Sequence, residues 1–407
     1  MQLASLVRDA LGLKNHRVEA VGRDDGKITV LVERIRGRWL PCSGCGTFDK
    51  MRDRLPERRW RHLPIWDVPV ELRYRPARVA CSGCGTPRVE VIPWAMGKST
   101  LSRPLIVELA TWSRLLAWDV VARLFGVSWS TVVGAVDQAV AYGLARRELS
   151  GLRVIGVDEL SRRKHHVYHT DEYDIGSEPK RLIWSGEGRK EKTLEAFFRF
   201  LGPEQAKRLE AVCCDMWAPY VDVIREQASQ ATLVFDKFHI VRHLLDAVND
   251  VRKAEARALQ ASHPELLRGT RYVWLKNPEN LTDRQRLRLA ELEKRGGLKV
   301  LRAYELKELF KKLWDYRSRA WARGYLDRWF WWATHSGLEP LREFAWMLRR
   351  QEEGVLAYFD HRIDNGAVEA MNNNAKAIAH RARGFRSEKA FTLAMLHCLG
   401  GLELPER

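Results

Sequence analysis

The sequence predicts a multidomain α+β protein: a small cysteine-bearing module, a helical pair, and an α/β domain interrupted by an all-helical insertion. Three observations predict it. Two near-identical Cys-x-x-Cys knuckles lie in the first quarter of the chain. Short apolar runs, three of which carry an acid at or near the end, alternate with helical periodicity between residues 152 and 236. Unbroken helical periodicity then runs from about Val241 to Gly354.

Composition sets the frame. The chain has 407 residues, 45% hydrophobic and 30% charged, as expected for several globular domains. No run approaches the roughly 18–20 apolar residues that span a bilayer, and the N-terminus lacks a signal-peptide pattern, so an intracellular protein with no membrane partner is expected. The net charge of +17 favours a polyanionic partner. Residues 1–150 hold 24 Lys+Arg against 15 Asp+Glu, and the remaining 257 hold 45 against 37, so the excess is denser at the front. Nucleic acid is the expected partner.

A short helix near Leu3–Leu13 and a strand near Lys27–Arg34 are expected first. Cys42-Ser-Gly-Cys45-Gly-Thr is then repeated as Cys81-Ser-Gly-Cys84-Gly-Thr. Each turn presents two thiolates, so Cys42, Cys45, Cys81 and Cys84 would close a four-sulfur site around one structural Zn²⁺. The 35 residues between the knuckles require a strand-rich module. Residues 52–78 carry eight arginines, Arg58, Arg59, Arg61, Arg73 and Arg75 among them, against four acids. The guanidinium fork suits phosphate, and as a group these are candidates for contacts to the DNA backbone.

Ser102-Arg-Pro104 predicts a helix start. Val120–Val133 fits a helix-turn-helix, with Gly126 at the turn, Val127 facing the core and Ser128 capping a second helix to about Tyr142. Trp129 and Ser130 would face the major groove.

Leu152–Leu160 alternates as a buried strand with Asp158 at its end, Val154 and Gly156 sharing its face. Strands near His165–Thr170 and Arg181–Ser185, a helix near Lys192–Leu201, a strand Ala211–Asp215, a helix Pro219–Gln227 and a strand Thr232–Asp236 follow. This is the order of an RNase H-like fold, in which the first and fourth strands are neighbours, bringing Asp158 to Asp215. The Trp329–Trp332 cluster is read as the core of the helical insertion. Between Asn365-Gly366 and Gly384, Glu369, Asn373, Lys376, His380 and Arg383 share one helix face and Met371, Ala375, Ile378 and Ala382 the other. Glu369 is thus a third candidate acid on a polar face. Lys376 and Arg383 are candidates for the DNA backbone, and Asn373 for support.

These motifs together resemble the ISL-three family of bacterial insertion-sequence transposases, of the Asp-Asp-Glu class. The resemblance spans nearly the whole chain. It includes the knuckles, Arg61-His-Leu-Pro64, Gly156-Val-Asp158-Glu159, Asp215-Met-Trp-Ala-Pro-Tyr220, Phe235-Asp-Lys-Phe-His239, Lys276-Asn-Pro-Glu-Asn-Leu281 and Asp364-Asn-Gly-Ala-Val-Glu369. Ala370 stands where the family usually has glycine, and Ala375 where it has a larger aliphatic. The resemblance implies Asp158, Asp215 and Glu369 as the catalytic triad; their carboxylate oxygens suit two Mg²⁺ (or Mn²⁺), and Asp236 and His239, one strand on, are candidates for support. The resemblance also implies cleavage and strand transfer at terminal inverted repeats, double-stranded repeat and target DNA as partners, a homodimer or higher oligomer on DNA, and a cytoplasmic, nucleoid-associated place. A DNA-binding regulator without catalysis and a nuclease that cuts without joining are the competing readings.

The expected organisation is a zinc-binding DNA-binding module (1–98), a helix-turn-helix (99–150), an RNase H-like catalytic domain (151–245), a helical insertion (246–354) and the catalytic domain's C-terminal helices (355–407).

Overall fold

Positive-φ pairs set the first hairpins. Asp25-Gly26 reverses the chain between β1 (His16–Asp24) and β2 (Lys27–Arg34), and Trp66-Asp67 does so between β5 (Arg58–Ile65) and β6 (Val68–Tyr74). β2 lies parallel to β6, giving a sheet of order β1-β2-β6-β5. Alternation buries Val30 and Val32, Trp60 and His62, and Leu72 and Tyr74, and the apolar members of this set form one core with Trp94. A second sheet, of order β3-β4-β7-β8, joins Trp39–Pro41, Phe48–Arg54, Ala77–Val79 and Arg88–Val89.

The computed structural model describes residues 8, 11, 13, 15–35, 39–163, 167–363, 366–385 and 387–406. The helix expected near Leu3–Leu13 and the Asn365 turn fall largely outside them. The chain divides into two units, Met1–Arg147 with Ile378–Arg407, and Glu148–Ala377.

In the first unit, Ser102 caps α1 (Arg103–Leu115) by accepting the Leu105 N–H, and Pro104 occupies its first turn. α2 (Trp118–Leu124) and α3 (Trp129–Leu144) meet at 109° across Gly126, whose φ is +56°. Ser128 accepts the Thr131 N–H and starts α3, which buries Val132, Ala135, Val136, Ala139, Val140 and Gly143.

In the second unit, β9 (Val154–Arg163), β10 (Val167–Asp174) and β11 (Arg181–Glu187) form an antiparallel meander. β12 (Ala211–Cys214) and β13 (Thr232–Phe235) add in parallel on the β9 side, giving the order β11-β10-β9-β12-β13. The first and fourth strands of this sheet are therefore neighbours. Helices α4 (Glu191–Leu201), α5 (Pro203–Ala206) and α6 (Ala218–Gln227) connect its parts. A helical run follows: α7 (Lys237–Ala258), α8 (Arg271–Leu275), α9 (Asp283–Arg295), α10 (Lys299–Lys311), α11 (Arg319–Thr334), α12 (Glu339–Arg350) and α13 (Glu352–His361). α13 returns against β13. Gly354 allows this: a Cβ there would lie 2.3 Å from the Phe235 ring. α14 (Gly366–Arg381) and α15 (Glu388–Leu399) complete the chain. Among the described residues no single helix is long and apolar enough to cross a membrane.

The structure departs from three expectations. β9 does not end at Asp158 but continues to Arg163, and β10 extends to Asp174, because Asp171, Glu172 and Asp174 are buried in the sheet rather than solvated. Of the Trp329–Trp332 cluster only Trp329 is core; Trp331 is 58% and Trp332 39% exposed, since α11 turns one side to solvent. Ile378–Arg407, expected to belong wholly with the catalytic domain, groups with the N-terminal unit.

Candidate active site and metal centre

Each knuckle is shaped by two glycines. Gly46 and Gly85, at φ +76° and +66°, make the left-handed turn after the second cysteine. Gly44 and Gly83 let the opposite sulfurs approach: a Cβ at either would lie 3.0 Å from Cys84 Sγ or 3.2 Å from Cys45 Sγ. Asp49 Oδ2 accepts the Ser82 N–H and ties one knuckle to the strand after the other.

The four Sγ atoms lie within 4.8 Å of one another, Cys42 to Cys84 at 3.8 Å and Cys45 to Cys81 at 3.3 Å. Tetrahedral Zn–S bonds of about 2.3 Å require sulfurs roughly 3.8 Å apart, so the set fits zinc. Its electrostatics call for a cation. Bonding to Thr47 pushes the Cys45 thiol down to about 6, and bonding to Cys45 pushes Cys84 up to about 12. Crowded thiolates resist joint ionisation unless a divalent ion neutralises them. Backbone N–H groups of Gly44 and Cys84 donate to Cys42 and Cys81 Sγ at 3.3 Å, which favours the thiolate form of a closed structural site.

Asp215 and Asp236 directly follow the parallel strands β12 and β13, next to the central strand β9 that carries Asp158. Asp158 lies in β9 and is half-buried. Its Oδ1 accepts the Glu159 N–H at 2.7 Å, and its Oδ2 accepts the Asn372 side-chain amide at 2.7 Å. β12 pairs with β9 in the register Cys213 to Gly156, so the same register carried two residues further sets Asp215 beside Asp158. Asp215 Oδ1 accepts the Met216 N–H. Burial, with Asp236 and Asp215 nearby, pushes the Asp158 carboxyl up, against the Glu159 N–H and His239.

Asp236 follows β13 and caps α7. Its Oδ1 accepts the Phe238 N–H, and its Oδ2 meets His239 Nδ1 at 2.8 Å. That bond, with Asp215 and Asp158 in range, raises the imidazole to about 9, so His239 is a cation at neutral pH facing three acids. Glu159 is half-buried with Arg189 at 4.0 Å, and burial raises its carboxyl as well.

Glu369 sits in the first turn of α14, exposed, one turn before Asn372. Within this helix the expected faces are observed: Glu369, Asn373, Lys376 and His380 are exposed, Ala375 and Ile378 are buried, and Met371 is half-buried; Ala382 and Arg383, expected on the same helix, lie beyond its end at Arg381, where Arg383 turns the chain at φ +53°. Asn372 was missed by the sequence reading, and so were Asp171 and Tyr173. The available signal was its spacing of three from Glu369. Among the described residues the cysteines are the one group of three or more candidate ligands drawn within 4.8 Å of one another; the three acids stand further apart.

The arginines between the knuckles divide by partner. Arg58 lies over the Trp60 ring and donates to Ser99 O; Arg59 pairs with Glu57; Arg73 bonds Glu71 at 2.7 Å. Arg61 donates to Phe125 O at 2.7 Å, so it joins β5 to the α2–α3 turn rather than facing solvent. Arg75 is exposed. Trp129 and Ser130, at the start of α3, are exposed, the Trp129 ring 6.2 Å from that of Trp118.

Comparison with known proteins decides what this pairing of sites means. A family profile described as "Transposase" (ISL3) matches residues 155–395, and one described as "zinc-finger of transposase IS204/IS1001/IS1096/IS1165" matches residues 40–84. The chain belongs to the ISL3 family of transposases. It is 30% identical over 388 residues to the transposase for insertion sequence element IS1001 of Bordetella parapertussis, covering 94% of this chain and 95% of that protein. It is also 30% identical over 434 residues to the transposase for insertion sequence element IS1557 of Mycobacterium tuberculosis H37Rv, covering 98% and 96%. In this transposase the second profile spans both knuckles, and the first spans the strands and helix that carry Asp158, Asp215 and Glu369.

Proposed function

We propose that the transposase binds the terminal inverted repeats of its insertion sequence and performs metal-dependent strand cleavage and strand transfer with Asp158, Asp215 and Glu369. The meander with two added parallel strands supports an RNase H-like assignment, and the 109° helix pair capped by Ser128 supports a helix-turn-helix with α3 as its reading helix. The observation that carries the reading is the Asn372–Asp158 bond at 2.7 Å, which joins the helix of Glu369 to the strand of the first aspartate beside Asp215.

Carboxylate oxygens suit hard cations, and Asp158, Asp215 and Glu369 would hold two Mg²⁺ or Mn²⁺. Bound there, such ions supply activation of the nucleophile and stabilisation of the leaving oxygen in an in-line phosphoryl displacement. The chain's own residues do the rest. Backbone N–H groups of Glu159 and Met216 fix one oxygen of each aspartate and leave the other for a ligand or a partner. His239 offsets the anionic cluster. Lys376, exposed on the Glu369 face, Arg383, exposed just beyond the helix end, and Arg75 are our candidates to meet DNA backbone. Water as nucleophile would release a 3′-hydroxyl at the element end, and that hydroxyl would then attack target DNA. Bringing two ends together requires at least a dimer on DNA.

Replacing Asp158, Asp215 or Glu369 singly by Ala is expected to abolish Mg²⁺-dependent cleavage of an end-bearing duplex while end binding in a gel shift persists. Pre-cut 3′ ends should still be joined by the unaltered protein. Cleavage retained in any one of the three variants contradicts the assignment, and cleavage without joining makes the protein a nuclease.

A further inference from the structure

The buried network behind Asp158 contains groups that the proposed chemistry does not use. Asn372 is 4% exposed, and both ends of its amide are engaged. Its Nδ2 donates to Asp158 Oδ2 at 2.7 Å, and its Oδ1 accepts the Tyr173 hydroxyl at 2.7 Å. The amide cannot turn over: a carboxylate only accepts, so the nitrogen must face Asp158, and Tyr173 supplies the donor its oxygen needs. Tyr173 is wholly buried in β10, with its hydroxyl 3.4 Å from Asp171 Oδ2. Asp171 is itself the cross-strand partner of Asp158. The network thus closes on the sheet that bears the first aspartate.

Its other end is α14. Glu369 lies three residues before Asn372, one helical turn along nearly the same face. Val368 and Ala375, both fully buried, anchor the helix before and after Asn372. Fixing the Asn372 amide therefore fixes how far Glu369 stands from Asp158 along the helix and around it.

We propose that Asn372 is a positioning residue, held by Tyr173, that orients Asp158 and sets Glu369 against it for cation binding. The inference rests on the acid assignment above. Outer-sphere partners of this kind typically change metal affinity or activity by 10–100-fold when removed.

The test uses the full-length protein and three variants. Asn372→Ala removes both bonds. Tyr173→Phe removes a single oxygen and carries the same test should Asn372→Ala fail to fold. Asp158→Asn checks the underlying assignment. Mn²⁺ affinity is read without DNA from the electron paramagnetic resonance of free Mn²⁺, and cleavage of an end-bearing duplex is read as a function of Mg²⁺. The expected result for Asn372→Ala is Mn²⁺ binding weakened about 10–100-fold and a matching rise in half-saturating Mg²⁺, with end binding unchanged. Tyr173→Phe should move both readouts the same way, by less. Mn²⁺ affinity and half-saturating Mg²⁺ equal to the unaltered protein's in folded Asn372→Ala or Tyr173→Phe, with Asp158→Asn inactive, overturns the positioning role alone. Full cleavage by Asp158→Asn overturns the acid assignment beneath it.

Discussion

His62 and His397 are buried imidazoles, each held by one oxygen. His62 Nδ1 meets Ser102 Oγ at 2.7 Å, and His397 Nε2 donates to Ala110 O at 2.7 Å. Burial lowers both from 6.5 to about 4. Between these values the unfolded chain binds protons that the folded chain refuses, so stability rises with pH there. The contribution is complete above 6.5 and is lost as pH falls towards 4. From pH 7 to pH 5 the loss is about 2 kcal/mol for each imidazole. Urea unfolding of the N-terminal unit should therefore show a midpoint that drops on acidification. His397→Gln, which keeps a donor for Ala110 O, should flatten the drop; an unchanged slope counts against a neutral His397. His239 has the opposite sign. With its imidazole raised to about 9 by Asp236, its contribution is present below 6.5 and lost as pH rises through 9.

At the scale of elements, the two knuckles and α11 give the sharpest contrasts. The duplicated Cys-Ser-Gly-Cys-Gly turn positions four sulfurs whose joint ionisation needs a cation, and structural zinc contributes on the order of 10 kcal/mol to folding of such a module. One zinc per chain by elemental analysis is expected, and Cys45→Ser should lose it and lower the thermal midpoint of the unit that holds the knuckles. Retained metal in that variant would contradict the four-sulfur site. In α11, Trp329 is fully buried, donates to Leu306 O at 2.9 Å and packs on Phe310. Trp331 is exposed and stacks on His335. Trp329→Ala should cost about 3–5 kcal/mol in urea unfolding and Trp331→Ala well under about 1. Equal losses would mean that the cluster acts as one core.

These elements also show how much was legible in the sequence. The knuckles, α3, β12 and β13 carry their signals locally: repeated cysteines, a capping serine, short apolar runs ending in Asp215 and Asp236. The two faces of α14 follow from periodicity as far as its end at Arg381. His169-Thr-Asp-Glu-Tyr-Asp174 has the polarity of a solvated segment and so predicts a shorter β10; only tertiary packing makes Asp171 a buried neighbour of Asp158. Helical periodicity favours Asn373 over Asn372, because it cannot tell which of three consecutive asparagines meets a strand more than 200 residues away.

At the scale of the whole molecule, the N-terminal unit is discontinuous, and its stability depends on the far end of the chain. Arg114 in α1 donates to His397 O at 3.1 Å and Leu402 O at 2.6 Å, and Arg381 donates to Arg114 O. Gly143 lets Leu402 cross α3; a Cβ there would sit 2.7 Å from the Leu402 Cβ. α15 buries Phe391, Met395 and His397. Deleting residues 386–407 removes the His397 and Leu402 contacts and the buried face of α15, keeps the Arg381–Arg114 bond, and leaves the Ala110 carbonyl and the Arg114 guanidinium without those partners. Each charge-assisted bond lost costs about 1.5–3 kcal/mol, to which the exposed apolar faces of α1 and α3 add. The truncated chain should therefore melt earlier in its N-terminal unit and bind inverted-repeat DNA less well, although it keeps both knuckles, α3 and every arginine from Arg58 to Arg75. Arg114→Ala isolates the polar part and should reproduce a fraction of the loss. A truncated chain with unchanged thermal midpoint and unchanged end affinity would mean that residues 1–147 hold their fold without the C-terminal helix.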